Sequence, residues 1–490
     1  MIVTIPNVVA MKVLVLTAAI MLGTAGVAVA APPTAGAPSL GDRLFPDLGN
    51  GGYDAQSYDV SYDYRPGVTT MASSVVMRAR ATQALSSFSL DSLVAKIGSV
   101  TVDGRPAAFR TQGEKLIVTP SSTVPNHAPF DVRIDYTSDR NLDPQSPAEP
   151  LPPGLPQFTK AWINTPDGFA FMGQPDRAHL FFPANDYPSD KARFTFRVTT
   201  PSDLTAVANG TLVSRRRSGD RTTYVWQTAS DIPTDITQVA VGKFREIDQT
   251  GPHGLPVRSF LPASQPAGDD IVRRTPSQLA WLEQTLGLPF PFERYGVLGV
   301  DSSYDGVALE TATMSTFPVQ AFLQPSAQIA PVMVHEMTHQ YFGDAVSVGS
   351  WDDMWLSEGH AVYYQSLFQA QQRNITLTDE MKDLYTEDAD QRATWGPPAH
   401  LRGAAAVLFG SDGTGALSLY ALHELVGDQT FQRIERTFYT QFHGRSAHTS
   451  DYIAVANRVS GRDLGPFLTA WLYGATTPPM PGHPDWKPGT

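Results

Sequence analysis

The pattern of apolar and polar positions in the first half of the chain is that of β-strands. Between about Tyr53 and Glu246, several runs place an apolar residue at every second position. Strands with this period bury one face and expose the other, as in stacked antiparallel sheets. The clearest runs are Tyr58, Val60, Tyr62 and Tyr64, then Phe130, Val132, Ile134 and Tyr136, and then Phe194, Phe196 and Val198. We therefore predict an N-terminal β domain of antiparallel strands over residues 53–250.

The pattern changes after Gly251, where apolar residues recur at intervals of three and four. This spacing predicts amphipathic helices. The best examples run from Pro331 to Phe342, from Trp355 to Gln372 and from Ala416 to Val426. We assign residues 251–490 to a second, mainly helical domain that continues in helices toward the C-terminus.

The N-terminal residues have the layout of a secretory signal. The residues that follow Lys12 are small or apolar, and Ala28-Val29-Ala30 forms a small-residue cleavage pattern. A signal peptide is therefore expected over residues 1–30, with export to the cell envelope or the medium. The alternative is an uncleaved membrane anchor, because the apolar run is almost long enough to cross a bilayer. Residues 31–52 are rich in Pro and Gly and are expected to form a flexible leader.

Composition narrows the possible functions. The 490 residues are 42% hydrophobic and 17% charged, which is typical of a globular protein with a large core. A formal net charge of -12, without any basic stripe, argues against a nucleic-acid partner. The absence of cysteine excludes disulfides and thiol catalysis. We expect a monomer that contacts a membrane only through the signal segment, if that segment stays uncleaved.

The strongest chemical signal is the pattern H-E-x-x-H formed by His335, Glu336 and His339. Residues four apart lie on the same face of a helix, so both imidazoles can reach one cation. Imidazole nitrogen suits zinc, and the intervening Glu can act as a general base. Ser326 and Pro331 are candidate start signals for this helix, and a coincidental pair of surface histidines is the alternative.

A catalytic zinc site needs a third protein ligand and one position left for water. Glu358 lies near the start of the next predicted helix, which can cross the first one. Taken alone, an acid in the first turn of a helix is explained by the helix dipole. Its spacing from His339 makes it the best candidate for the third ligand. The sequence thus predicts one zinc ion per chain.

The segment from His335 to Gly359 resembles the zinc segment of the membrane alanyl aminopeptidase family, which includes leukotriene hydrolase. The shared residues are His335-Glu336-Met337-Thr338-His339-Gln340-Tyr341-Phe342-Gly343 and Trp355-Leu356-Ser357-Glu358-Gly359. Asp344 and His360 depart from the Asn and Phe usual in the family. The resemblance implies an N-terminal saddle-like β domain, a thermolysin-like catalytic domain and hydrolysis of peptides from their N-terminus. In this chemistry Glu336 would take a proton from the attacking water and return it to the leaving amine.

The resemblance also implies residues that bind substrate. Gly306-Val307-Ala308-Leu309-Glu310-Thr311 is similar to the family motif G-x-M-E-N, whose Glu binds the free amino group of the peptide. A carboxylate near the metal can grip an ammonium and so measure one residue from the chain end. Gly173-Gln174-Pro175-Asp176 is similar to the family's Q-x-E segment, which makes Asp176 a candidate second contact; a loop acid is the alternative.

One family feature is absent. The family supplies an oxyanion donor from a Tyr placed three residues before a Gly-Ala pair that opens a helix. The pair here is Gly415-Ala416, and Asp412 stands at the position of the Tyr. The composition around Asp412 predicts a flexible, exposed loop, in which a carboxyl group would stay ionised and repel an oxyanion. Other donors to consider are His360, Tyr385, Ser411 and Thr414.

Three functions therefore remain open. The first is an aminopeptidase. The second is a zinc endopeptidase in which Glu310 is structural. The third is a zinc-binding or peptide-binding homologue whose catalysis is impaired, although a pure binder would have no need of Glu336 as a base.

Overall fold

A computed structural model describes residues 32–142, 161–265, 268–301 and 308–489. The expected signal segment lies outside this described part of the chain, as do Gly306 and Val307 of the motif around Glu310. The described residues from Pro33 onward form one compact unit. None of the helices in the described ranges combines the length and the apolar character that a membrane span requires.

Strands dominate the described chain up to residue 242. They are β1 (Thr34–Ala35), β2 (Tyr53–Asp63), β3 (Thr70–Ala81), β4 (Leu85–Asp91), β5 (Lys96–Val102), β6 (Arg105–Pro106), β7 (Ala108–Gln112), β8 (Lys115–Thr119), β9 (Pro129–Asp139), β10 (Trp162–Asn164), β11 (Phe169–Phe171), β12 (Arg193–Pro201), β13 (Thr205–Ala208), β14 (Thr211–Ser218), β15 (Arg221–Gln227) and β16 (Val239–Gly242). An eight-stranded sheet has the order β14-β15-β12-β2-β3-β9-β5-β6. Two four-stranded sheets have the orders β1-β4-β8-β7 and β10-β11-β16-β13.

The alternation in the sequence is realised in the large sheet, where every residue of the three runs is buried. The buried tyrosines also find partners for their hydroxyl groups. Tyr62 and Tyr136 both donate to the carbonyl of Phe181, at 2.9 and 3.0 Å. Neighbouring strands of this sheet are antiparallel except β2 and β12, which run parallel. The predicted β architecture is therefore confirmed, with one parallel pair that alternation alone does not reveal.

Helices and a smaller sheet make up the rest of the described chain. The helices are α1 (Ala178–Phe181), α2 (Asp269–Val272), α3 (Thr275–Leu286), α4 (Ser326–His339), α5 (Trp355–Arg373), α6 (Leu377–Trp395), α7 (Asp412–Val426), α8 (Asp428–Phe442), α9 (Thr449–Ser460) and α10 (Gly465–Tyr473). The strands are β17 (Phe244–Thr250), β18 (Pro256–Pro262), β19 (Val297–Val300), β20 (Ser315–Pro318), β21 (Ser347–Val348) and β22 (Ser446–Ala447). Strands β17 to β20 form one sheet in sequence order, and β21 pairs with β22.

The boundary predicted at residue 251 falls inside a hairpin. Strands β17 and β18 pair antiparallel along their whole length, from Phe244 opposite Pro262 to Thr250 opposite Pro256. A cut at residue 251 would separate these hydrogen-bonded partners. The sheet that precedes the C-terminal helices therefore begins at Phe244, because strand pairing, which composition does not show, joins β17 to β18.

Residues 32–52, expected to be a flexible leader, are packed against the rest of the structure. Strand β1 pairs with β4, and the side chains of Leu44, Phe45 and Leu48 are buried. Asn50 is also buried and donates to Asp91 at 2.7 Å. The high content of Pro and Gly predicted a flexible segment. The apolar residues between them give the segment a buried face that holds it in place.

Helices α4 and α5 carry the metal-binding motif. Helix α4 begins at Ser326, so Pro331 lies inside it and is not its start. Pro331 has no N–H, so the helix lacks one intrahelical hydrogen bond at this position. Helix α5 crosses α7 very closely: a methyl group on Gly359 would lie 2.9 Å from the Cα of Gly415. The absence of a side chain at both glycines is what lets the two helices approach, and it brings the start of α7 next to the start of α5.

Candidate metal centre

The last two turns of α4 and the first turn of α5 converge on one point. His335 and His339 direct their Nε2 atoms toward each other at 3.0 Å. The Glu358 Oε2 atom lies 3.4 Å from the first and 3.5 Å from the second. Among the described residues, no other group of His, Asp and Glu side chains brings its ligand atoms close enough together to hold a metal ion. The structure thus unites the three residues that the sequence proposed as ligands.

Hydrogen bonds behind the imidazoles fix their orientation. The Nδ1 atom of His335 lies 2.9 Å from Gln365 Oε1, and that of His339 lies 2.9 Å from Ser357 Oγ. Ser357 in turn donates to the carbonyl of Phe342 at 3.2 Å. The Nδ1 atoms therefore act as donors, and each Nε2 keeps its lone pair for a metal. The sequence argument missed Gln365 and Ser357, although both lie on the helix that supplies Glu358.

Gly343 leaves room for this arrangement. It follows α4 with a φ of 130°, and a methyl group there would come within 2.4 Å of the Ser357 hydroxyl. A side chain at this position would displace the group that orients His339. The metal site therefore requires a glycine at this position.

The donor set fits zinc. Two nitrogens and one carboxylate oxygen are common zinc ligands, and donors held at zinc distances in a tetrahedron lie about 3.3 Å apart. The three observed separations are 3.0, 3.4 and 3.5 Å. Burial alone would raise the pKa of Glu358, but His339 and His335 hold it below its usual range, so the carboxylate is kept ionised.

Glu336 is buried beside the ligands, and its Oε2 atom has no hydrogen-bond partner within the described structure. Burial raises its pKa well above the usual value; His339 opposes this, and Glu310 and Glu358 add to it. Such a carboxyl group is poised to exchange a proton. Its environment therefore suits the role of general base that the motif predicts.

Glu310 is 4% exposed and is held from two sides. Gln174 donates to its carboxylate at 2.6 Å, and Gln340 donates to its backbone carbonyl at 2.9 Å. Gln340 directly follows His339, so this backbone contact ties Glu310 to the end of α4 that carries the histidines. Sequence reasoning singled out Glu310 but not Gln174, which stands in the motif already quoted for Asp176.

Asp176 lies two residues beyond Gln174 and is largely buried, with its carboxylate 4.0 Å from Arg177 Nε. This places it on the segment that contacts Glu310. A direct role in binding substrate stays a prediction.

The prediction that Asp412 lies in a flexible, exposed loop is wrong. Asp412 is the first residue of α7, and Ser411 and Thr414 on either side are buried. The Asp412 Oδ1 atom is enclosed and has no hydrogen-bond partner among the described residues. Burial raises the pKa of Asp412 well above its usual value, and the charge of Glu358 raises it further. The close approach of α5 and α7, which composition does not encode, causes this difference.

Most of the other candidate donors are engaged elsewhere. Tyr385 donates to Pro478 O at 3.0 Å, and Thr414 donates to Gly410 O at 3.1 Å. His360 donates to Leu356 O at 2.8 Å and lies 3.0 Å from the Glu435 carboxylate. The hydroxyl of Ser411 is buried without a hydrogen-bond partner in the described part of the chain, so it remains a candidate.

A histidine pair and a carboxylate converging from adjacent helices, with a buried glutamate beside them, define a zinc metallopeptidase. Family models agree: the peptidase M1 N-terminal domain matches residues 54–236, and the peptidase family M1 domain matches residues 272–395. The chain belongs to peptidase family M1.

Relatives and solved structures agree with this assignment. The M1 zinc metallopeptidase from Deinococcus radiodurans is 28% identical, with a TM-score of 0.78, and the match covers 92% of this chain and 99% of that one. Leucyl aminopeptidase of Saccharolobus solfataricus is 24% identical over 65% of this chain and 42% of its own length. Human glutamyl aminopeptidase is 21% identical over 61% of this chain and 33% of its own length. Three further curated relatives match over most of this chain. The chain spans about half of their length.

The contact between Gln365 and His335 provides a test of the site. We expect Gln365→Ala to weaken zinc binding about 10-fold or more, because the imidazole loses the acceptor that orients it. Gln369→Ala is a matched control, since Gln369 lies one turn further along α5 and donates to Glu380. Zinc affinity is measured by competition with a chromophoric chelator. Equal affinities for the two variants would contradict the orienting role.

Proposed function

We propose that this protein is a zinc aminopeptidase that removes residues from the N-terminus of peptides. The observation that carries the proposal is the buried Glu310, whose carboxylate is held by Gln174 and whose backbone carbonyl is held by Gln340, the residue after His339. An ionised carboxylate in such a place is stabilised by a cation, and a peptide presents an ammonium only at its N-terminus. A peptide whose ammonium is bound by Glu310 would present its first peptide bond to the metal.

The reaction follows from the position of each group. Zinc, when held by His335, His339 and Glu358, supplies Lewis-acid polarisation and a water of lowered pKa. Glu336 takes a proton from the attacking water on its carboxylate and delivers it to the nitrogen of the departing amine. Glu310 binds the ammonium and so keeps the scissile bond in reach.

Relatives named leucyl and glutamyl aminopeptidases support the same reaction, as does a solved structure of a Deinococcus radiodurans M1 zinc metallopeptidase mutant bound to a Tyr-Ser-Ala substrate. Peptides are thus the proposed substrates, and the chain is proposed to act as a monomer.

The aminopeptidase proposal is tested with paired peptides that differ only in a free or an acetylated N-terminus. We expect cleavage of the free peptides alone, and Glu310→Gln should lower kcat/KM on them by about 10²-fold or more, because the ammonium loses its ionic partner. Glu336→Gln should retain zinc and lose almost all activity, which makes it the control for contaminating peptidases. Efficient cleavage of the blocked peptides would instead identify an endopeptidase.

A second candidate function rests on Asp412, which stands where the family places its oxyanion donor. If no other group fills that role, catalysis is impaired by about 10²–10³-fold, the cost of removing one such donor. The protein would then be a zinc-dependent peptide binder with weak hydrolysis.

Two variants at position 412 test whether an oxyanion donor is missing there. Asp412→Tyr and Asp412→Phe introduce the same ring and differ only in a hydroxyl group. Since Asp412 begins a helix that packs against α5, we expect the Tyr variant to exceed both the Phe variant and the unmodified enzyme in kcat. Equal rates for the Tyr and Phe variants would show that position 412 does not reach the reacting oxygen.

We further propose that the protein is exported and acts outside the cytoplasm. The support is the apolar N-terminal segment with its Ala28-Val29-Ala30 cleavage pattern. Expressed with its complete N-terminus in a bacterial host, the protein should appear outside the cytoplasm and begin near Ala31. N-terminal sequencing that finds residues before Val13 on most exported molecules would indicate an uncleaved anchor.

A further inference from the structure

Residues 42–50, here named the strap, contact both the β region formed by strands β1 to β16 and the segment that leads into α5. One Asp42 carboxylate oxygen accepts from the backbone N–H of Trp351 at 3.2 Å and from the Tyr187 hydroxyl at 2.8 Å. Its other oxygen accepts from the N–H groups of Leu44 and Phe45 at 2.7 and 3.0 Å. This single carboxylate therefore shapes the strap and fastens it to two distant parts of the chain.

A charged contact lies beside it. The Arg43 Nε atom donates to Asp352 at 2.8 Å, and the same guanidinium donates to the carbonyl of Leu401. The N–H of Leu401 donates back to Asp352 at 3.1 Å. Because the guanidinium is planar and makes several bonds at once, it restricts the position of Asp352 more than a single flexible ion pair would.

Apolar packing completes the attachment. Phe45 meets the Trp351 ring edge-on, with 5.5 Å between ring centres, and both side chains are buried. At the far end, the Asn50 backbone N–H donates to Asn185 at 2.6 Å within the β region. The strap is therefore anchored at both ends, and between them it covers the indole of Trp351.

The residues that the strap holds lie directly before the metal site. Trp351–Asp353 form a short 3-10 helix, and Met354 joins it to α5. The N–H groups of Ser357 and Glu358 both donate to Met354 O at 2.9 Å. Ser357 orients His339, and Glu358 is itself a ligand. A displacement of this short helix would thus move one metal ligand and the hydroxyl group that orients another.

We propose that the strap is a positioning element of the zinc site, in which Asp42 and Arg43 fix the start of α5 and thereby the placement of Glu358 and Ser357. The proposal concerns how tightly zinc is held, and it stands whichever peptide bonds the enzyme cleaves. The strap is not the sole attachment of this short helix. From the other side, Asp353 accepts from Thr449 N at 2.8 Å and from His448 Nδ1 at 2.8 Å.

The test uses the full-length mature protein and its zinc affinity. Because α9 still holds Asp353, we expect Arg43→Ala and Asp42→Ala to raise the zinc Kd about 10-fold rather than to abolish binding. Arg78→Ala is the matched control, since Arg78 forms a comparable ion pair with Asp131 on the surface of the β region. Chelator competition well below the unfolding temperature gives the Kd. Thermal unfolding with and without zinc gives the stabilisation by the metal, which should shrink in the strap variants only.

A double-mutant cycle then isolates the contact. If Arg43 acts through Asp352, the double variant should bind zinc about as weakly as the Asp352→Ala single variant. The double variant carries both Arg43→Ala and Asp352→Ala. Unchanged zinc Kd in Arg43→Ala and Asp42→Ala, together with equal losses of unfolding temperature in the zinc-free and zinc-loaded protein, would overturn the proposal. The strap would then contribute to global stability only.

Discussion

The constraint on which this structure depends is that two imidazole nitrogens and a carboxylate oxygen must face one another at 3.0 to 3.5 Å. Their lone pairs repel, so the rest of the protein has to hold them until a cation binds. The histidines share one rigid helix, which fixes their relative placement. Glu358 comes from another helix, and its position depends on everything that sets the start of α5.

Much of the surrounding architecture can be understood from that dependence. Gly359 and Gly415 let α7 approach α5, and Gly343 leaves space for the hydroxyl that orients His339. Residues before α5 are held by the strap on one side and by α9 on the other. The β region therefore contributes to the site both through Gln174, which holds Glu310, and through the chain that precedes its first long strand.

Buried carboxyl groups that interact with Glu310 have raised pKa values. Burial raises the pKa of Asp235 to about 8, and the charges of Asp186 and Glu310 add to the effect. The carboxyl of Asp344 is fully buried, and burial and Glu310 raise its pKa as well. A metal ion and a substrate ammonium are the charges that would relieve this repulsion. This electrostatic need agrees with the proposed aminopeptidase activity, since binding of the free N-terminus is then coupled to the chemistry.

The sequence by itself determined the ligand types, their spacing, the candidate general base and the succession of strands and helices. These features are local: a period of two or of four residues states which face is buried, and H-E-x-x-H needs only one helix to bring its histidines together. Tertiary structure alone decided that Gln174 contacts Glu310 across 136 residues and that Arg43 contacts Asp352 across 309. It also turned part of an expected flexible leader into the strap and placed Asp412, expected in an exposed loop, at the start of α7 with one carboxylate oxygen enclosed. Those outcomes depend on how sheets and helices pack against one another, and that packing leaves no periodic signal along the chain.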